Sequence, residues 1–156
     1  MIFVTVGTQK FQFTRLLEGI EDLVKKGVIT EPVIAQVGDA KFCSDYYSTV
    51  DFMTNEEFLK VLSDCSVLIT HAGVGTIIKG LERGKKIIVV PRQKIFGEHV
   101  DDHQREIANK FESMGYVCVC RDMKELEACY RSMDVFLPKN LQLQYSNVVS
   151  FVNHQL

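Results

Sequence analysis

Between Val67 and Val90 the chain runs from an apolar, β-branched stretch through a glycine-punctuated turn into a helix-forming segment, then into a second apolar stretch. Val67-Leu68-Ile69-Thr70 predicts a strand covered on both faces. Thr76 through Arg83 predicts a short helix that stops at Gly84. Ile87-Ile88-Val89-Val90 predicts the next strand, and strand–helix–strand in this order demands parallel strands joined by a right-handed crossover. His71-Ala72-Gly73-Val74-Gly75-Thr76 occupies the junction. Two glycines there let the backbone come close to a ligand, and the helix's first N–H groups point at it. That combination favours an anion such as a phosphate or diphosphate. The same six residues also read as a tight turn with no ligand.

The alternation continues along the chain. Residues 2–6 predict a strand. Residues 11–25 carry Phe13, Leu16, Leu17, Ile20, Leu23 and Val24 at helical spacing, closed by Lys25-Lys26-Gly27. Val33–Val37 predicts a strand, 49–53 a weaker one, and Asn55 onward a helix capped by Thr54 or Asn55. After residue 90 a helix over about 102–114, a strand over 116–120 and a helix over 123–133 complete the series. The expected architecture is a single Rossmann-like α/β domain over 1–156, with a mostly parallel sheet and helices on both faces. Ligands on such sheets lie beyond the carboxyl ends of the strands. Gly7-Thr8-Gln9, the region after Met53, His71–Thr76 and the loop after Pro91 all fall on that edge. A polar helix over about 141–154 follows Pro138 and docks either on its own domain or on a partner.

Composition narrows the function classes. The 156 residues are 46% hydrophobic and 24% charged with net charge -2, enough for one apolar core. No basic stripe favours nucleic acid as a partner. No run is long enough to span a bilayer, and the N-terminus lacks a signal peptide's charged region. Five cysteines are an odd number, and their expected state is free thiols in a reducing cytoplasm. Cys118 and Cys120 alternate in one apparent strand, which puts both sulfurs on one face. No second close cysteine pair suggests a metal site.

His-Ala-Gly-x-Gly-Thr at 71–76, Gly84-Lys85-Lys86-Ile87-Ile88-Val89-Val90-Pro91, Asp102-His103-Gln104 and the opening Ile2-Phe3-Val4-Thr5-Val6-Gly7-Thr8-Gln9 form four separated motifs. Together they resemble the C-terminal, donor-binding half of GT-B glycosyltransferases of the family 28 type. Within that group the chain is similar to the small subunits of split enzymes. These include the catalytic subunit of the dolichol-linked UDP-GlcNAc transferase and the PssE-like subunits of bacterial capsule and exopolysaccharide synthesis. The resemblance implies inverting transfer of a hexose from a UDP-sugar to a lipid-linked acceptor, with the UDP-sugar as substrate and no cofactor or essential metal. A GT-B enzyme closes two domains over its substrates, and 156 residues supply one. The resemblance therefore implies a membrane-anchored acceptor-binding subunit as partner, a polyprenyl-linked acceptor brought by it, and a cytoplasmic protein recruited to the inner face of the membrane.

The residues divide by role. The N–H groups of Gly73, Val74, Gly75 and Thr76 face the diphosphate in this reading, with the Thr76 hydroxyl as a further donor. His71 is a donor to phosphate or sugar, or a ring bonded to nearby backbone. Gly7 and Thr8 form a second turn at the same edge, as ligand contacts or as structure alone. The resemblance places Phe52 and Met53 where uracil is read and Gln104 where the donor sugar's hydroxyls are held; Phe52 and Met53 also read as plain core residues. Lys79 stands where related enzymes carry a ribose-binding carboxylate, and either pairs with a phosphate or is solvated. Candidate bases for the acceptor hydroxyl are His103, Glu98 and His99. The cluster from Glu98 to His103 also allows a different reading, a metal-dependent hydrolase, and a nucleotide-binding regulatory subunit without chemistry is a third.

Overall fold

The computed structural model describes residues 1–139 together with Leu141, Ser150, Val152 and Asn153. Six parallel strands form one sheet: β1 (Ile2–Thr5), β2 (Val33–Gln36), β3 (Ser48–Val50), β4 (Val67–Thr70), β5 (Lys86–Val89) and β6 (Cys118–Val119). Their order across the sheet is β3-β2-β1-β4-β5-β6. The register carries Thr5 opposite Gln36 on one side and Thr70 on the other, so the strands end on one line.

Strand alternation builds two apolar layers. Ile2, Val4 and Ile69 face the layer completed by Leu16, Leu17 and Ile20 of helix α1 (Thr14–Lys25) and by Leu126 of α5 (Leu126–Ser132). Phe3, Leu68, Ile87 and Val89 face the other layer. Leu62 of α2 (Asn55–Asp64), Ile77 and Leu81 of α3 (Val74–Glu82) and Phe111 of α4 (His103–Ser113) cover it. All four residues of β1 and of β4 are buried, as expected of central strands with helices on both sides.

Local signals decide the element ends. Thr54 caps α2 with a full capping box: its hydroxyl accepts from the Glu57 N–H at 3.2 Å, and the Glu57 carboxylate accepts from the Thr54 N–H at 2.8 Å. Helix α3 begins at Val74, two residues earlier than the sequence predicts, because Gly73 serves as its N-cap without any side-chain cap. The strand expected over 116–120 shortens to Cys118–Val119, since this edge strand pairs only with Ile88 and Val89. The helix expected over 123–133 divides into a 3-10 turn at Met123–Glu125 and α5.

All five cysteines are free. Cys120 is buried in the first layer and Cys118 packs against it, on one face as the alternation requires. A hydrogen bond with Cys129, together with burial, pushes the Cys118 thiol well above its usual range and keeps it protonated. The helix expected over about 141–154 lies largely outside the described residues. Within it, Leu141 is buried in the second layer and Val152 packs against that layer, so these two tail residues dock on their own sheet. No helix among the described residues is long and apolar enough to cross a membrane.

Candidate functional site

The chain starts in the middle of the sheet, moves outward through β2 and β3, and returns to place β4 on the other side of β1. The loop after β1 leads to α1 on one face and the turn after β4 leads to α3 on the other. Their divergence opens a crevice, which is where sheets of this kind hold ligands. A cavity of about 440 Å³ occupies it.

Two glycine turns form the cavity floor. Gly7 has φ +79°, in the left-handed region, and its N–H donates to the Thr5 hydroxyl at 3.3 Å. The other turn is Gly73–Thr76, from which His71, Gly73, Gly75 and Thr76 line the cavity. The amides of Val74, Gly75 and Thr76 lie in the first turn of α3, where no intrahelical acceptor exists for them. A Cβ added at Gly75 meets nothing within 4 Å, so this glycine leaves open space in front of those amides. Val74, by contrast, packs its side chain partly against the second apolar layer.

The imidazole of His71 fills the gap between the turns. A Cβ at Gly7 would lie 2.5 Å from its Nε2, and one at Gly73 would lie 2.3 Å from its Cε1. Both positions therefore require glycine for the ring to sit there. Burial, helped by the positive Arg92 and His99 nearby, pushes the His71 pKa down to about 3, which keeps the ring neutral at pH 7.

Two buried glutamines tie the loops together. Gln36 at the end of β2 donates from Nε2 to the Thr5 hydroxyl at 3.2 Å and accepts from the Met53 N–H at 2.8 Å. It fixes the segment after β3, from which Met53 lines the cavity. Phe52 is about half exposed and stands outside the lining. Gln104 departs from its expected role. It is buried, its Oε1 accepts from the N–H groups of Ala72 at 3.1 Å and Arg92 at 3.0 Å, and its Nε2 lies 3.3 Å from His71 Nδ1. An amide engaged in this way holds the strand ends, and Gln104 stands outside the cavity lining.

The candidate bases fall away from the cavity lining. Glu98 is fully buried, and its carboxylate takes two bonds from Arg15, both at 3.0 Å, and one from the Gln93 N–H. This is a buried ion pair whose carboxylate stands outside the cavity lining. His99 sits 3.1 Å from Asp101 with its ring 5.8 Å from that of Phe11, and His103 sits 3.1 Å from Glu106. Among the described residues no three His, Cys, Asp or Glu side chains gather as a metal site, which leaves the hydrolase reading without a ligand set.

Sequence reasoning missed Gln36, Arg92, Asn55 and Phe58. Arg92 is fully buried and donates to the carbonyls of Val6, Phe11 (2.9 Å), Gln12 (3.2 Å) and Glu98 (3.1 Å). It thereby staples the loop after β1 to the loop after β5, and burial lowers its pKa to about 10, still cationic at pH 7. Asn55 and Phe58 line the cavity from α2. Lys79 also lines it, with Nζ 5.5 Å from the Phe58 ring centroid. No local signal marked these residues, because each gains its role from a neighbour distant in sequence.

A parallel sheet wound this way, with a glycine turn opening a helix N-terminus at its switch point, is a Rossmann-like arrangement of the kind that holds nucleotides. The glycosyltransferase family 28 C-terminal domain matches residues 1–142, and the chain belongs to that family. It is similar to the human UDP-N-acetylglucosamine transferase subunit ALG13, at 27% identity over 129 residues that cover 77% of this chain and 11% of the relative. The chain thus spans about a tenth of that relative's length. The NMR structure of ALG13 shares the fold with TM-score 0.57 and 22% identity, over 88% of this chain and 87% of that one. The crystal structure of the glycotransferase of kitacinnamycin does so with TM-score 0.63 and 16% identity, over 86% of this chain and 34% of that one.

Proposed function

We propose that this chain is the donor-binding subunit of a two-component inverting glycosyltransferase. It moves a hexose from a UDP-sugar to a lipid-linked acceptor, and its setting is bacterial capsular or exopolysaccharide synthesis. The observation that carries the reading is the crevice between β1 and β4, where the uncapped first turn of α3 faces a cavity of about 440 Å³. In this reading the diphosphate rests on the amides of Val74, Gly75 and Thr76, the nucleoside lies toward Met53 and Asn55, and Lys79 approaches the phosphates or ribose.

The family resemblance implies direct displacement. An acceptor hydroxyl attacks the anomeric carbon as the bond to the UDP oxygen breaks, so the configuration inverts and the electron pair leaves with UDP. The α3 N-terminus stabilises the negative charge that develops on the leaving diphosphate. The proton of the attacking hydroxyl goes to a base. His71 in the cavity wall is neutral with a strongly depressed pKa, and Glu98, outside the lining, is spent on Arg15. We therefore assign the base to the acceptor-binding half, a membrane-anchored partner that presents a polyprenyl-linked acceptor and draws this cytoplasmic chain to the membrane's inner face. No cofactor enters the scheme.

The test is a donor screen on the chain co-purified with the product of a neighbouring gene. Transfer of one hexose from a UDP-sugar to a lipid-linked acceptor supports the reading. Failure of the isolated chain to bind UDP or any UDP-sugar by calorimetry overturns it.

A further inference from the structure

The amide of Gln104 has only one orientation that satisfies its surroundings. Its Oε1 lies 3.1 Å from the Ala72 nitrogen and 3.0 Å from the Arg92 nitrogen. Backbone N–H groups can only donate, so the oxygen must face them and the NH2 group must face His71 Nδ1, 3.3 Å away. A donor at that distance requires Nδ1 to carry a lone pair. The remaining ring proton of a neutral imidazole then sits on Nε2. Nε2 is the atom packed between the two glycine turns, 2.5 and 2.6 Å from where Cβ atoms on Gly7 and Gly73 would lie, in the wall of the cavity.

We infer that Gln104 is a positioning residue that locks the His71 imidazole with its proton on Nε2, so that a fixed neutral N–H donor faces the cavity beside the α3 N-terminus. The identity of the acceptor it meets, a nucleoside diphosphate, rests on the function proposed above; the lock itself does not. Gln104 lies on the first turn of α4 and His71 just past the end of β4, so the start of one helix sets the proton position on another strand's end. The same two backbone bonds clamp the Ala72 and Arg92 amides to one oxygen. The lock therefore also fixes the spacing between the β4 and β5 loop entries. A ring held this way donates to a phosphate oxygen without first losing a proton or gaining a charge. An imidazolium or a reversed tautomer in this place would present a different donor set.

Long-range proton–nitrogen NMR spectra of histidine-labelled protein at pH 7 read the tautomer directly. In the wild-type chain His71 should show a protonated Nε2 and an unprotonated Nδ1. In Gln104→Glu the carboxylate still accepts from Ala72 and Arg92 but has no proton for Nδ1, so His71 should gain a proton on Nδ1. A wild-type ring protonated on Nδ1 overturns the inference, and this reading needs no variant to fold. An unchanged tautomer in folded Gln104→Glu overturns it as well. UDP and uridine serve as the two probes. UDP, but not uridine, should shift the His71 Nε2 resonance, and its affinity should fall about tenfold in Gln104→Glu, the scale of one hydrogen bond to a charged group. If UDP binds without moving Nε2, the donor role is refuted. If UDP does not bind and the wild-type tautomer is as stated, the nucleotide reading fails while the Gln104 lock stands.

Discussion

Arg15 and Glu98 form a forked ion pair, with Nε and Nη2 each 3.0 Å from a different carboxylate oxygen, and Glu98 is fully enclosed while Arg15 is about one-sixth exposed. The pair joins α1 to the loop after β5. Beside it the Arg92 guanidinium bonds the Glu98 carbonyl and reaches on to Val6 and Phe11. The loops that frame the cavity are thus held by buried charge rather than by apolar packing. Replacing Glu98 by Ala strands a largely buried guanidinium and the Gln93 N–H, and breaking a buried pair by removing one partner costs about 3–5 kcal/mol. Urea unfolding of Glu98→Ala should show that loss. A loss under about 1 kcal/mol would mean that water replaces the carboxylate freely.

His71 makes stability depend on pH with a definite sign. Its folded pKa is about 3, against 6.5 when unperturbed, because burial and the charges of Arg92 and His99 oppose the imidazolium. The unfolded chain therefore binds the proton first. Stability is fully present above about pH 6.5 and declines as the pH falls toward 3. The carboxylates with lowered values, Glu21, Glu31 and Asp101, start from 4.5, 4.5 and 3.8, so their contribution is lost only below about pH 5. Denaturation between pH 7 and 5 should show the decline in the wild type and a flatter profile in His71→Asn. Parallel slopes would assign the decline to other groups.

Gly80 sits on the inner face of α3, where an added Cβ would come 2.8 Å from Ile87 Cδ1 and 3.0 Å from Leu68 Cδ2. The helix lies against the sheet at a distance that only a glycine allows. Gly80→Val should destabilise the fold by about 1–3 kcal/mol, the usual cost of overpacking a filled core. Its thermal midpoint should fall accordingly, while a substitution at exposed Glu82 should leave it in place.

Apolar patterning made most of this fold legible. Strands β1, β4 and β5 are continuous apolar runs because helices cover both faces, and their bounds came within a residue. The glycine turn was legible because Gly73 and Gly75 interrupt a strand–helix junction. The clamps were not. Arg92 reaches the Val6 carbonyl across 86 positions and Arg15 reaches Glu98 across 83. In sequence a buried arginine and glutamate inside a polar loop look like any solvated pair. The partners that hold Glu98 and Gln104, Arg15 for the one and the Ala72 and Arg92 amides for the other, leave no mark in the local sequence.

Gly75 separates a structural turn from a ligand site. Its backbone is ordinary helix, and a side chain there has open space in front of it. Gly75→Val therefore should keep the fold within about 1 kcal/mol, the span between glycine and ordinary residues in helices. It should nevertheless block the approach of a diphosphate to the Gly75 and Thr76 amides. Calorimetry should find UDP binding lost in a variant whose circular dichroism is unchanged. Equal affinity in both proteins would return the glycine turn to a purely structural role.

The cavity lining offers a neutral His71, free amides and Lys79, but no described carboxylate faces it to take a proton from an acceptor. In the proposed two-component reading the attacking hydroxyl is oriented by the partner. Orientation of two reactants is worth about 7–11 kcal/mol of barrier, so the isolated chain should transfer sugar at a rate indistinguishable from background. Adding the proposed acceptor-binding subunit should restore transfer. The contact should include the rim where Ile95 and Val100 stand 82% and 64% exposed in the loop that Arg92 and Glu98 anchor. Ile95→Asp with Val100→Asp should then weaken association and transfer together while leaving UDP affinity of the isolated chain unchanged. Robust transfer by the purified chain alone would show that the crevice between β1 and β4 is a complete active site.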